Sequence, residues 1–127
     1  MKVFEPMKIN GLELKNRMVV SAMVTNYCTP DGKATEKFIA YHEHKAKGGW
    51  GLIITEDYAV TPTAGGFVNL PGLWVDGQIE SHRKLTERVH AAGGKIAAQI
   101  YHAGRETSSA VTGVQPVAPS AVREPSM

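Results

Sequence analysis

Lys95-Ile96-Ala97-Ala98-Gln99-Ile100-Tyr101-His102-Ala103-Gly104-Arg105 changes character halfway along. Its first half has the composition of a buried strand. Ile96, Ala97, Ala98 and Ile100 are apolar almost without a break, and Gly93-Gly94 stands just before them. Its second half is polar and concentrated: Gln99, Tyr101, His102 and Arg105 fall within seven residues, and Gly104 lets the backbone turn sharply. An amide, a phenol, an imidazole and a guanidinium at the end of a core strand suit a ligand. The same residues also admit a local reading, with Gln99 capping its own strand and Arg105 pairing with a surface carboxylate.

Upstream, the pattern predicts a helix from an Asp76 cap to about Ala92, with Ile79, Leu85 and Val89 on one face and Gly93-Gly94 as its stop. Before it lies a long Pro/Gly/Thr loop, Val60 to Val75, of the kind that is usually functional. Trp50-Gly51-Leu52-Ile53-Ile54-Thr55 reads as a second buried strand closing on Glu56 and Asp57. Thr35 caps a helix from Glu36 to about Lys47, with Phe38, Ile39, Tyr41 and Ala46 as its apolar stripe. Arg17-Met18-Val19-Val20-Ser21-Ala22-Met23 is a third apolar strand, followed by a loop from Val24 to Lys33. The chain opens with a hairpin, Met7-Lys8-Ile9 and Leu12-Glu13-Leu14 around Asn10-Gly11. From Ser108 onward it reads as loop.

The order is therefore a hairpin followed by β-α-β-α-β. Each interval between strands holds a helical crossover, so the sheet should be parallel. In a parallel barrel, strand ends gather at the C-terminal face, where ligands bind. That face would bring together Ser21 to Thr25, the carboxylates of Glu56 and Asp57, and Gln99 with His102. It holds no activated nucleophile, so it suits a polar, planar cofactor that carries the hard chemistry itself.

Composition narrows the classes further. The chain has 127 residues, 43% apolar and 20% charged, with a formal net charge of +2, which shows no basic stripe and does not suggest nucleic acid or an anionic membrane. Cys28 is the only cysteine, so no internal disulfide forms, and a cytoplasmic location is expected. Neither a dinucleotide Gly-x-Gly-x-x-Gly turn nor a Gly-Lys-Ser/Thr phosphate loop is present. His42 and His44 point away from each other on their helix, and His82 and His90 read as solvated. Cys28 has no basic neighbour to activate its thiol.

These motifs resemble those of the old yellow enzyme family of NADH:flavin oxidoreductases. Leu14-Lys15-Asn16-Arg17 leading into Ser21-Ala22-Met23 is similar to that family's first strand, and Gly51 to Glu56 to its second. Lys84 to Lys95 and Gln99 to Arg105 resemble its second helix and third strand, and Val117-Ala118-Pro119-Ser120-Ala121 its Ala-Pro-Ser signature. The closest branch is that of the enoate and 2,4-dienoyl-CoA reductases.

The resemblance implies that residues 1–127 are the N-terminal portion of an FMN-binding (β/α)8 TIM barrel, an α/β fold, with a leading hairpin, about three parallel strands and two helices. It places FMN, reduced by NAD(P)H, against Ser21, Ala22, Met23, Val24, Asp57 and Gln99. A small unsaturated carbonyl or enoate substrate would lie near Thr25, Asn26, His102 and Arg105. Val24 departs from the family, because its side chain cannot donate to the flavin O4, and Asp57 stands where relatives carry a small residue. The groups that polarise and protonate the substrate, and the phosphate site, are expected beyond Met127. An iron–sulfur cluster is expected only in a longer full-length chain. The expected activity is reduction of activated C=C bonds, in a barrel completed by further chain and assembled as a homo-oligomer. The alternatives are a non-catalytic fragment, a split-chain piece that assembles with the rest of the barrel, or a barrel that binds a phosphate-bearing substrate without flavin.

Overall fold

A computed structural model describes residues 1–125. The hairpin forms where the turn signal stands: β1 (Met7–Ile9) and β2 (Leu12–Leu14) pair antiparallel, and Asn10 takes the left-handed φ of 50° that an Asn-Gly turn permits. Three parallel strands follow, β3 (Val19–Val20), β4 (Leu52–Ala59) and β5 (Ile96–Tyr101), in the spatial order β3-β4-β5. Helix α1 (Glu36–Lys47) joins β3 to β4, and α2 (Ile79–Ala91) joins β4 to β5. No helix among the described residues is long and apolar enough to cross a membrane.

Both helices lie on one face of the sheet. Phe38, Ile39 and Ala46 of α1 and Leu85 and Val89 of α2 meet Val20, Ile53 and Tyr58 of the strands, joined by Cys28 of the loop after β3. Helix α1 starts where its cap predicts, since Thr35 Oγ1 accepts from Phe38 N at 3.2 Å. Arg88 ties the two helices on their solvent side, its Nε donating to Glu43 Oε2 at 3.1 Å.

Several expectations need correction. The strand expected from Arg17 to Met23 is reduced to Val19–Val20, because β4 meets it only at Leu52 and Ile53. The strand expected to end at Thr55 runs to Ala59, carrying Glu56, Asp57 and Tyr58 inside the ladder. Asp76 does not cap α2 but opens a single 3-10 turn, Asp76–Gln78. The buried Gln78 side chain serves that corner instead, accepting from Trp74 N at 2.9 Å and Val75 N at 3.2 Å while donating to Asp31 O at 2.9 Å. Ile79 consequently lies on the solvent side of α2, 59% exposed, and His82 takes its place in the core. Finally, a short helix α3 (Ser109–Thr112) interrupts the segment expected to be loop.

His82 is thus buried rather than solvated, and its partners define its tautomer. Nε2 lies 3.1 Å from Gly32 O, which can only accept, so the ring proton sits on Nε2. Nδ1 then accepts from Tyr58 Oη at 3.0 Å. His42 is buried differently. It is 2% exposed, both ring nitrogens lack a hydrogen-bond partner among the described residues, and the edge of Phe38 stands 4.6 Å from it between centroids.

The face of the sheet opposite the helices is open, and β5 forms one margin. Ala97, Ala98, Gln99 and Ile100 are all exposed, Ile100 to 63%. Residues 1–127 expressed alone should therefore self-associate through this edge. Size-exclusion chromatography with circular dichroism checks it: a sharp monomer peak with a cooperative melt contradicts the expectation.

Burial drives the His42 imidazole down from 6.5 to about 4, with a smaller push from Lys45. The unfolded chain therefore binds a proton here that the folded chain refuses. His42's contribution is complete above pH 6.5 and is lost as pH falls toward 4, by up to about 3 kcal/mol. Denaturant melts of the folded protein across that range should show this acid limb, and His42→Leu should flatten it. An unchanged limb in the variant contradicts the assignment.

Candidate functional site

The site is built from three strand ends on one open face. After Val20 the chain leaves the ladder, and the peptide groups of Ala22, Met23 and Val24 make no hydrogen bond within the described residues. Ala22 and Val24 are half-buried, Ser21 is exposed, and the Met23 side chain is 50% exposed. Three successive free peptide groups beside an apolar side chain form a surface for a flat polar ligand.

Strand β4 supplies the next group through a bulge. Ile54 pairs with Ala97 and Asp57 with Gln99, so β4 spends one residue more than β5 over that interval. The extra residue turns Thr55 and Glu56 both toward the helices, where they are 2% and 1% exposed, and returns Asp57 to the open face. The carboxylate pair expected on the site face is therefore split. Glu56 lies beneath the site, and Asp57 lies on it.

Glu56 has a structural partner. Its Oε2 accepts from Thr25 N at 2.7 Å, which pins the turn that follows the free peptide groups. Glu56 Oε1 and Thr25 Oγ1 are buried without a hydrogen-bond partner among the described residues. Burial pushes the Glu56 carboxyl above its ordinary range; donors at Thr25 and Asn26 offset this in part, and the charge of Asp57 adds to it. Burial also pushes the Cys28 thiol up, with Glu56 adding to the effect, as suits an inert core cysteine.

Asp57 and Gln99 come together, Gln99 Nε2 donating to Asp57 Oδ1. The substrate-side candidates are more dispersed. Asn26, at φ 58°, donates through Nδ2 to Val68 O at 2.8 Å and so ties the loop after β4 to the loop after β3. His102 Nδ1 accepts from Gly104 N at 2.9 Å within its own turn. Arg105 Nη1 donates to Val122 O at 2.9 Å, which anchors the exposed segment holding Ala118-Pro119-Ser120. The loop from Thr61 to Trp74 crosses the strand ends: Ala103 N donates to Ala64 O at 2.8 Å and Thr107 Oγ1 to Gly65 O at 2.9 Å. At Gly66 a Cβ would come 2.5 Å from Tyr101 Oη, so a larger residue there would force the loop or the Tyr101 ring to shift.

Sequence reasoning missed the burial of Glu56, the Tyr58–His82 pair and the role of Gln78. A signal existed for the first. The two adjacent carboxylates Glu56-Asp57 followed by apolar Tyr58-Ala59 mark where the strand departs from a continuous apolar run.

The donor set fits an isoalloxazine. Its pyrimidine edge sets a ring N–H beside carbonyl oxygens, and the exposed Gln99 amide offers the complementary acceptor and donor. A hairpin followed by parallel β-α units, with its functional groups at the C-terminal strand ends, defines the N-terminal part of a (β/α)8 barrel. The chain belongs to the NADH:flavin oxidoreductase / NADH oxidase family, whose model matches residues 2–126.

The NADH oxidase of Thermoanaerobacter brockii is 40% identical over 122 residues, covering 94% of this chain and 19% of that protein. The NADPH dehydrogenase of Bacillus subtilis (strain 168) is 42% identical over 106 residues, covering 83% of this chain and 31% of that protein. The solved old yellow enzyme homologue from Zymomonas mobilis matches with a TM-score of 0.87 at 36% identity, covering 98% of this chain and 35% of that one. The chain spans about a fifth to a third of the length of the curated relatives it matches. Members of the family are flavin-dependent oxidoreductases that use NAD(P)H.

The raised Glu56 carboxyl has a defined consequence. The folded chain holds this proton more tightly than the unfolded one, so the contribution of Glu56 is complete below about pH 4.5 and is lost as pH rises through the folded value. Glu56→Gln keeps an acceptor for Thr25 N and does not titrate. The parent should therefore lose stability relative to Glu56→Gln as pH is raised above 4.5, in denaturant melts of the intact protein. A parent–variant difference that stays constant with pH contradicts it.

Proposed function

We propose that this chain forms the flavin-holding part of an FMN-dependent ene-reductase, which uses NAD(P)H to reduce activated C=C bonds of small unsaturated carbonyl or enoate compounds. The observation that carries this reading is the convergence on one open face of three free peptide groups, Ala22 to Val24, with the exposed Gln99 amide. Bound FMN supplies hydride transfer from the nicotinamide to the β-carbon of the alkene. Ala22, Met23 and Val24 would lie along the ring through their backbone, beside Ser21. Gln99 would accept from and donate to the pyrimidine edge, with Asp57 adjacent.

Thr25, Asn26, His102 and Arg105 would stand at the rim where substrate enters. Asn26 holds the Val68 loop in place beside the loop after β3. The remaining strands, completed by further chain, would supply the polarising and protonating groups and the phosphate site, in a barrel that works as a homo-oligomer. The exposed margin at β5 is where the remaining strands would add.

The test uses the holoenzyme that carries this chain. Anaerobic NADH or NADPH should bleach its flavin absorbance, and an α,β-unsaturated carbonyl compound should restore it. Absence of flavin, or restoration by oxygen but not by any activated alkene, contradicts the proposal.

Gln99→Leu should leave flavin polar groups unpaired, at a cost of about 1–3 kcal/mol. FMN affinity should then fall about 5- to 150-fold. Fluorescence titration checks it, and unchanged affinity would make Gln99 a packing residue.

A further inference from the structure

Gln99 does not stand alone on the open face. Asp57 lies opposite it in register across β4 and β5, and Gln99 Nε2 donates to Asp57 Oδ1. An ionised carboxylate accepts hydrogen bonds and cannot donate them, so it selects one orientation of the amide. The flipped orientation would set Gln99 Oε1 against a carboxylate oxygen. With Nε2 turned to Asp57, Oε1 and the second Nε2 hydrogen are left for a ligand. Those are the acceptor and donor that the ring N–H and adjoining carbonyl of a flavin require.

Asp57 also brings a charge that no ion pair among the described residues cancels. Among the described residues the ion pairs join Lys8 to Glu13, Lys33 to Asp31, Lys47 to Glu43, Arg83 to Glu80, and Arg88 to Glu36 and Glu43. None involves Asp57. The field of Asp57 reaches its neighbours. After burial, it is the largest influence raising the Tyr101 phenol, and it adds to the rise at Glu56.

We propose that Asp57 is a positioning residue that fixes the Gln99 amide for the flavin and, through its uncompensated charge, lowers the reduction potential of that flavin. This rests on the assignment of FMN to the open face. The isoalloxazine gains negative charge on reduction, and a carboxylate behind the amide opposes that gain. The same carboxylate makes Gln99 Oε1 a stronger acceptor for the ring N–H, which favours the oxidised form.

Two variants of the holoenzyme separate the two parts. Asp57→Asn keeps an oxygen to accept from Gln99 Nε2 and removes the charge; Asp57→Ala removes both. Asp57→Asn should bind oxidised FMN within about twofold of the parent. It should favour reduced over oxidised flavin by about tenfold more than the parent does, a rise of about 30 mV for the two-electron couple. Asp57→Ala should show the same rise and also bind oxidised FMN about 5- to 10-fold more weakly, because its amide is no longer held.

Spectroelectrochemical midpoints and FMN dissociation constants read both effects without turnover. A midpoint in Asp57→Asn equal to the parent's overturns the electrostatic role. An unchanged dissociation constant in Asp57→Ala overturns the positioning role. A parent that takes up no FMN overturns the site reading itself, and so is distinct from either.

Discussion

One inserted residue in β4, between Ile54 and Asp57, sorts two adjacent carboxylates onto opposite sides of the sheet. Glu56 goes to the helix side, where it is desolvated and holds the Thr25 peptide; Asp57 goes to the open side, where it meets Gln99. Without the insertion, strict alternation would send Glu56 to the open face and Asp57 toward the helices. The shape of the site depends on this. The Thr25 turn is anchored because Glu56 lies beneath it, and the Gln99 amide has an acceptor because Asp57 lies beside it.

The same displacement carries β4 on to Tyr58 and Ala59, which builds the wall under the site. Tyr58 reaches His82, His82 reaches Gly32 O, and Gln78 reaches Asp31 O. The loop after β3, the corner before α2 and the core strand are thus joined by buried hydrogen bonds, each group with a defined donor or acceptor role. These bonds brace the loop that carries the peptide groups of Ala22 to Val24.

Local features were legible in the sequence because local chemistry decides them. Asn10-Gly11 turns the hairpin, Thr35 caps α1, and Gly93 at φ 72° follows the end of α2. The β-α order, and with it the parallel sheet, followed from spacing alone, and the motifs around Gln99 pointed to the family that the comparisons establish. The ends of the strands were not legible. How far β3 and β4 run depends on what pairs beside them, and a bulge in a continuously apolar strand breaks no alternation. Nor was the burial of His82: on the helix it occupies a position that either water or a tyrosine could serve, and only the fold brings Tyr58 to it.

The central claim is that the open face formed by Ala22 to Val24 and Gln99 receives the flavin. Amide hydrogen exchange of the FMN-depleted protein, with and without added FMN, tests it most directly. The peptide groups of Ala22, Met23 and Val24 make no hydrogen bond among the described residues and should exchange fast, then become protected when FMN is added. The amides of α2, on the far side of the sheet, should not change. Residues 22–24 still exchanging fast with FMN bound would contradict the account.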